Sequence, residues 1–127
     1  MSKILLVEDE ASLRELYAEV LAEASHEVIQ AADGQDALPK IKEGSWDILL
    51  LDIMLPKIDG IQVLKNIKDD PVLALKPVLV MSNLQDDAIT HNCMELGARE
   101  FLVKSNISPP DIVTAITKYL PNANDSK

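Results

Sequence analysis

Apolar residues along the chain follow two alternating periods. Short runs rich in β-formers occupy Lys3–Val7, Glu27–Ala31, Ile48–Asp52, Val78–Ser82 and Glu100–Lys104. In the first, third and fourth, Ile4-Leu5-Leu6-Val7, Ile48-Leu49-Leu50-Leu51 and Val78-Leu79-Val80-Met81 are apolar at every position. A strand with one wet face would alternate, so these three are expected to be covered on both faces, as in a parallel sheet.

Helical spacing fills the intervals. Leu13, Leu16, Tyr17, Val20, Leu21 and Ala24 form one stripe, opposite Arg14, Glu15, Glu19 and Glu23. Ile61, Leu64 and Ile67 follow Gly60, and Ile89, Cys93 and Leu96 precede a stop at Gly97. The last helix starts with Ser108 as N-cap, Pro109 at the first position and Asp111 at the third. Its stripe is Ile112, Val113, Ile116, Tyr119 and Leu120, and Pro121 ends it. A second helix over Gly34–Lys42 contains Pro39, which removes a backbone hydrogen bond, so it is expected to be short or bent. Strands alternating with helices predict a doubly wound α/β domain with strand order 2-1-3-4-5. It spans residues 1–121, with a polar tail over 122–127.

Composition narrows the function. The 127 residues suit one domain, and no apolar run reaches membrane-span length. Without an export signal the expected compartment is the cytoplasm, where the single Cys93 would be a half-buried, inert thiol. Acidic residues number 21 against 12 basic ones, for a net charge of −9. That balance, with only four aromatics (Tyr17, Trp46, Phe101, Tyr119), argues against direct nucleic-acid binding. His26 and His91 read as surface residues.

Ligands of such a sheet bind beyond the carboxyl ends of its strands. Those ends carry Glu8, Asp9 and Glu10 after strand one, Asp52 after strand three, Ser82-Asn83 after strand four and Lys104-Ser105 after strand five. Three converging carboxylates (Glu8, Asp9, Asp52) repel one another and call for a compensating cation. Oxygen ligands with room for water suit Mg²⁺ or Mn²⁺. Lys104 adds a fixed positive charge and Ser82 a hydroxyl. Carboxylate, metal, lysine and hydroxyl together suit a phosphoryl group, with Asp52 attacking in line.

Asp52-Ile53-Met54-Leu55-Pro56, followed by Asp59-Gly60, resembles the phosphoacceptor stretch of bacterial response-regulator receiver domains. The acidic pair Glu8-Asp9, Ser82, and Phe101 three residues before Lys104 match the same family, and the resemblance runs from Lys3 to Leu120. It implies the flavodoxin-like (βα)5 fold and a signalling role rather than that of an enzyme. By this resemblance Asp52 accepts a phosphoryl group from a sensor histidine kinase or histidine phosphotransfer protein. Asp9, Asp52 and the backbone carbonyl of Met54 hold the metal, assisted by Glu8. Lys104 and Ser82 bind phosphoryl oxygens, and Ser82 and Phe101 switch the face of the fourth helix, fifth strand and fifth helix toward a protein partner. A monomer or a weak, phosphorylation-promoted dimer is expected. The start at Met1 and the polar tail favour a stand-alone regulator over a fragment.

Two residues depart from the family and flank the pocket. Ser105 replaces the usual proline after the strand-five lysine. A cis bond there would cost about 2.5–4 kcal/mol, so this loop is either trans and differently routed, or cis and strained. Asn83 replaces a very small residue and is expected to narrow access to Asp52. Alternatives are a degenerate receiver that binds a partner without phosphorylation, and an aspartyl-nucleophile phosphatase of the haloacid-dehalogenase kind. The phosphatase needs a second Asp two residues after the nucleophile, where Met54 stands. A flavodoxin-like or dinucleotide-binding module needs phosphate-facing amides after strand one, where Glu8-Asp9-Glu10 would repel phosphate.

Overall fold

The computed structural model describes residues 2–54, 59–83 and 86–120. Five strands, β1 (Lys3–Val7), β2 (Glu27–Ala31), β3 (Ile48–Asp52), β4 (Val78–Ser82) and β5 (Glu100–Val103), form one parallel sheet in the order β2-β1-β3-β4-β5. Helices α1 (Ala11–Glu23), α2 (Gly34–Glu43), α3 (Gly60–Lys68), α4 (Asp87–Glu95) and α5 (Pro109–Thr117) connect or follow them. This is the doubly wound, flavodoxin-like arrangement that the alternation of periods predicts. No helix among the described residues is long and apolar enough to cross a membrane.

The continuous apolar runs explain the layering. Along β1, β3 and β4, alternate residues point to opposite faces. Leu5, Val7, Leu49, Leu51, Val78 and Val80 meet α2, α3 and α4 through Ile41, Leu64 and Cys93. Ile4, Leu6, Ile48, Leu50, Leu79 and Met81 meet α1 and α5 through Leu21, Ile112 and Ile116. Each fully buried leucine or isoleucine contributes roughly 1.5–3 kcal/mol, so the three central strands anchor the domain. The edge strands β2 and β5 are only partly covered and have mixed sequences.

Several local expectations are corrected. Helix α2 is not shortened by Pro39 but runs for ten residues. The Asp33 carboxylate caps its start by accepting from the Asp36 amide at 2.7 Å, and Gly44 ends it with φ +78°. Burial of Ala37 and Ile41 on the sheet offsets the bond that Pro39 deletes. In α1, Leu16 points outward and is 41% exposed, and Ala18 takes its place in the core. Strand β5 stops at Val103, and Lys104–Asn106 form a short 3-10 turn. Among the described residues there is no cis peptide bond, so Lys104–Ser105 is trans. Cys93 is fully rather than half buried, and burial pushes its thiol pKa up. Trp46 lies two residues before β3, with its side chain buried.

The predicted start of α5 is present: the Asp111 carboxylate accepts from the Ser108 amide at 2.8 Å. Leu55 and Pro56 of the motif, the stop at Pro121 and the tail fall outside the described residues.

Candidate functional site

Sheet register places the polar residues at one edge. Val7 pairs with Leu51, so the next residues, Glu8 and Asp52, stand level at the ends of β1 and β3. Asp52 pairs with Met81, and Ser82 with Val103, which sets Ser82 and Lys104 one step beyond. Glu8, Asp52 and Ser82 are the buried polar residues of the described chain, at 0%, 2% and 0% exposure. With Asp9, Glu10, Met54, Asn83 and Lys104, Glu8 and Asp52 line a cleft of about 510 Å³.

Lys104 is clamped between two acids. Its Nζ lies 2.6 Å from Glu8 Oε1 and 2.8 Å from Asp52 Oδ2, with the side chain 11% exposed. The Asp52 contact is also a hydrogen bond, whereas the Glu8 contact lacks hydrogen-bond alignment. The second Asp52 oxygen, Oδ1, accepts from the Met54 amide at 2.9 Å. Glu8 Oε2 accepts from the Glu10 amide at 3.1 Å.

One lysine does not balance this cleft. Burial, and after it the charge of Asp52, push Glu8 up to about 7 despite the opposing pull of Lys104 and the Glu10 amide. Burial works to lower the Lys104 pKa, but its hydrogen bond to Asp52 and its close ion pair with Glu8 override it and the net direction is up. Ligand oxygens of Glu8, Asp9 and Asp52 all lie within 4.8 Å of one another. An oxygen-only donor set with an open mouth fits a hard divalent cation such as Mg²⁺ or Mn²⁺.

A family model described as "Response regulator receiver domain" matches residues 4–117. The chain belongs to the response-regulator receiver family.

Receiver domains are the signalling domains of two-component systems. They bind Mg²⁺ at an acidic pocket, and in this receiver Glu8, Asp9 and Asp52 form an acidic cluster that could hold a metal ion. The alkaline phosphatase synthesis transcriptional regulatory protein PhoP of Bacillus subtilis (strain 168) is 34% identical over 118 residues, 93% of this chain and 48% of its own. The chain thus spans about half the length of that relative. Among solved structures, the phosphorylated cyanobacterial phytochrome response regulator RcpA is 33% identical with a TM-score of 0.82, covering 94% of this chain and 93% of the other. The Mn²⁺-bound form of response regulator Rcp1 is 30% identical with a TM-score of 0.83, covering 95% and 99%.

The remaining residues singled out from sequence fall nearby in different ways. Asn83 is exposed and lines the cleft. Ser105 is exposed and lines a neighbouring groove with Leu13, Leu16 and Tyr17 instead, so it flanks the receiver pocket without facing it. Phe101 is half-buried against the α2–α4 side of the core.

Sequence reasoning missed one neighbour, Arg14, and the structural reason for another, Gly60. Arg14, expected only on the polar side of α1, donates through Nη1 to the backbone carbonyl of Glu8 at 2.8 Å. Its signal was a lone cation one turn into the helix that follows an acidic strand end. Gly60 lets α3 start against the end of β3. A Cβ there would lie 2.5 Å from Ile53 Cα and 3.0 Å from the Asp52 carbonyl.

Proposed function

We propose that this receiver accepts a phosphoryl group on Asp52 from a phosphohistidine donor, a sensor kinase or phosphotransfer protein, in a Mg²⁺- or Mn²⁺-dependent reaction. The observation that carries the reading is the meeting of buried Asp52 with Glu8, Asp9 and Lys104 in one open cleft. An Asp52 carboxylate oxygen attacks phosphorus. The P–N bond to the donor imidazole breaks, an acyl phosphate forms, and the imidazole leaves neutral once protonated. Lys104, already 2.8 Å from Asp52, stays beside the reacting oxygen and offsets the charge gathering on the phosphoryl group. Ser82, buried at the end of β4, supplies a hydroxyl to a second phosphoryl oxygen.

Asp9, Asp52 and the Met54 carbonyl would hold the cation, with Glu8 assisting. When bound, it neutralises cleft carboxylates and phosphoryl oxygens. The solved relatives described as phosphorylated and as Mn²⁺-bound support both halves of the reading. Movement of Ser82, followed by Phe101, changes the α4-β5-α5 face and so the affinity for a downstream protein. The chain is read as a monomer, or as a weak dimer promoted by phosphorylation, that acts through protein contact.

Incubation with acetyl phosphate or phosphoramidate and Mg²⁺, followed by intact mass, tests the proposal. The expected result is one added phosphoryl group, absent in Asp52→Asn and absent without the cation. No adduct from either donor would overturn it in favour of a phosphorylation-independent binding module.

A further inference from the structure

The backbone carbonyl of Glu8 is held by a side chain that does not line the acidic cleft. It accepts from Arg14 Nη1 at 2.8 Å, while the Arg14 Nε donates to Gln30 Oε1 at 3.3 Å. The Gln30 backbone is fixed: it lies on β2, and its carbonyl accepts from Lys40 Nζ at 2.8 Å. Lys40 in turn pairs with Asp36 at 3.2 Å, and Asp36 accepts from the Ala32 amide at 3.1 Å. A chain of polar contacts therefore runs from α2 across β2 to the peptide joining Glu8 and Asp9.

We propose that Arg14 is a positioning residue for the acidic loop: anchored on Gln30, its guanidinium fixes the Glu8–Asp9 peptide so that both carboxylates face the cleft. The inference rests on the metal-binding reading of that cleft. Two contacts fix the chain here: the Glu8 amide, which belongs to the preceding peptide, donates to the Ala31 carbonyl at 3.1 Å, and the Glu8 carbonyl, in the Glu8–Asp9 peptide itself, accepts from Arg14. The first belongs to sheet pairing and ends with β1. The second is a side-chain bond; the Glu10 end of the loop is held by its own amide on Glu8 Oε2 at 3.1 Å and by the Arg14 amide on its carbonyl at 2.9 Å, which leaves the Glu8–Asp9 peptide between them to the Arg14 side chain. Partners that orient metal ligands without touching the metal typically set affinity by 10–100-fold.

The sign of the effect separates this role from a simple charge effect. Arg14 is a cation near an anionic cleft. If charge were its only influence, removing it would strengthen Mg²⁺ binding. As a positioning residue, its loss weakens binding. Arg14→Met keeps the aliphatic stem and loses both the donor and the charge. Calorimetric titration with MgCl₂ is expected to give a dissociation constant about tenfold higher than the parent's. In EDTA, the amide NMR signals of Asp9 and Glu10 are expected to move in the variant, because the loop loses its anchor even with no metal present. Arg14→Lys, which keeps a donor and the charge, is expected to recover most of the affinity. If Arg14→Met fails to fold, judged by urea unfolding in EDTA, Gln30→Leu removes the anchor and leaves Arg14 in place, with a rise in the dissociation constant expected up to about tenfold. A dissociation constant unchanged or lowered in the folded variant would overturn the inference. A parent that binds no Mg²⁺ would instead overturn the reading of the cleft itself.

Discussion

Glu8 concentrates the electrostatics of the cleft, because it is fully buried, adjoins Asp52, and shares a single lysine with it. Its pKa rises from 4.5 to about 7, led by burial. A carboxyl that holds its proton more tightly when folded stabilises the fold at low pH. Here that contribution is complete below about 4.5 and disappears as pH rises through about 7. In EDTA, stability is therefore expected to fall between pH 5 and 8 by at most on the order of 3 kcal/mol. Urea midpoints at the two pH values measure it, and Glu8→Gln should flatten the decline. His26, whose pKa burial lowers, acts with the opposite sign, so comparison with Glu8→Gln isolates the Glu8 share. A second prediction concerns Asn83, which stands exposed at the mouth of the same cleft. Asn83→Ala should exchange phosphoryl groups faster with a small donor at matched Mg²⁺, and equal or slower rates by mass would remove its gating role. The identities of these residues were legible because strand ends can be read from a sequence. The Lys104–Glu8 contact and the reach of Arg14 were not, since both depend on side chains crossing between elements.

At the scale of elements, the join between β3 and α3 fixes how Asp52 is presented. The Gly60 amide donates to the Ile53 carbonyl at 3.0 Å, and the Asp59 carboxylate caps α3 by accepting from the Gln62 amide at 3.0 Å. Gly60 is needed for close approach, because an added Cβ would meet not only the Ile53 side-chain tip at 2.8 Å but also backbone, Ile53 Cα at 2.5 Å and the Asp52 carbonyl at 3.0 Å, which cannot swing aside. Gly60→Ala is expected to destabilise by about 2–3 kcal/mol and to weaken Mg²⁺ binding. Gly97→Ala is the control. It has open space but φ +104°, so it should cost roughly 1–2 kcal/mol with metal affinity unchanged. Urea unfolding and calorimetry on both variants check the contrast. The doubly covered strands β1, β3 and β4 were legible because burial on both faces leaves no polar alternation to misread. The continuity of α2 was not, since its caps and the burial of Ile41 outweigh what Pro39 removes, and local propensity cannot weigh tertiary packing. The outward turn of Leu16 escaped for a related reason: helical spacing marks a stripe, but its neighbours decide how wide a stripe they cover.

Across the whole molecule, a parallel sheet puts all five strand ends on one side, and that separates chemistry from the only tryptophan. Trp46 lies two residues before β3, and the four steps from Ile48 to Asp52, at about 3.3 Å each, already put ~13 Å between the start of the strand and Asp52. The surroundings of Trp46 are set at the opposite edge: Nε1 donates to the Ile41 carbonyl at 3.0 Å, and Lys76 Nζ stands 5.3 Å over the ring. Cation binding at the cleft has no contact with these groups but still stabilises the fold, because the three carboxylates converge only in the folded state. At ten times its dissociation constant, Mg²⁺ should raise the unfolding free energy by about 1.4 kcal/mol. Trp46 emission should report the unfolding transition and its shift, yet stay nearly constant when Mg²⁺ is added to folded protein. The titration and the unfolding curve can be read from the same fluorophore. A strong quench of the folded state by Mg²⁺ would mean that the two ends of β3 are coupled more directly than this sheet allows.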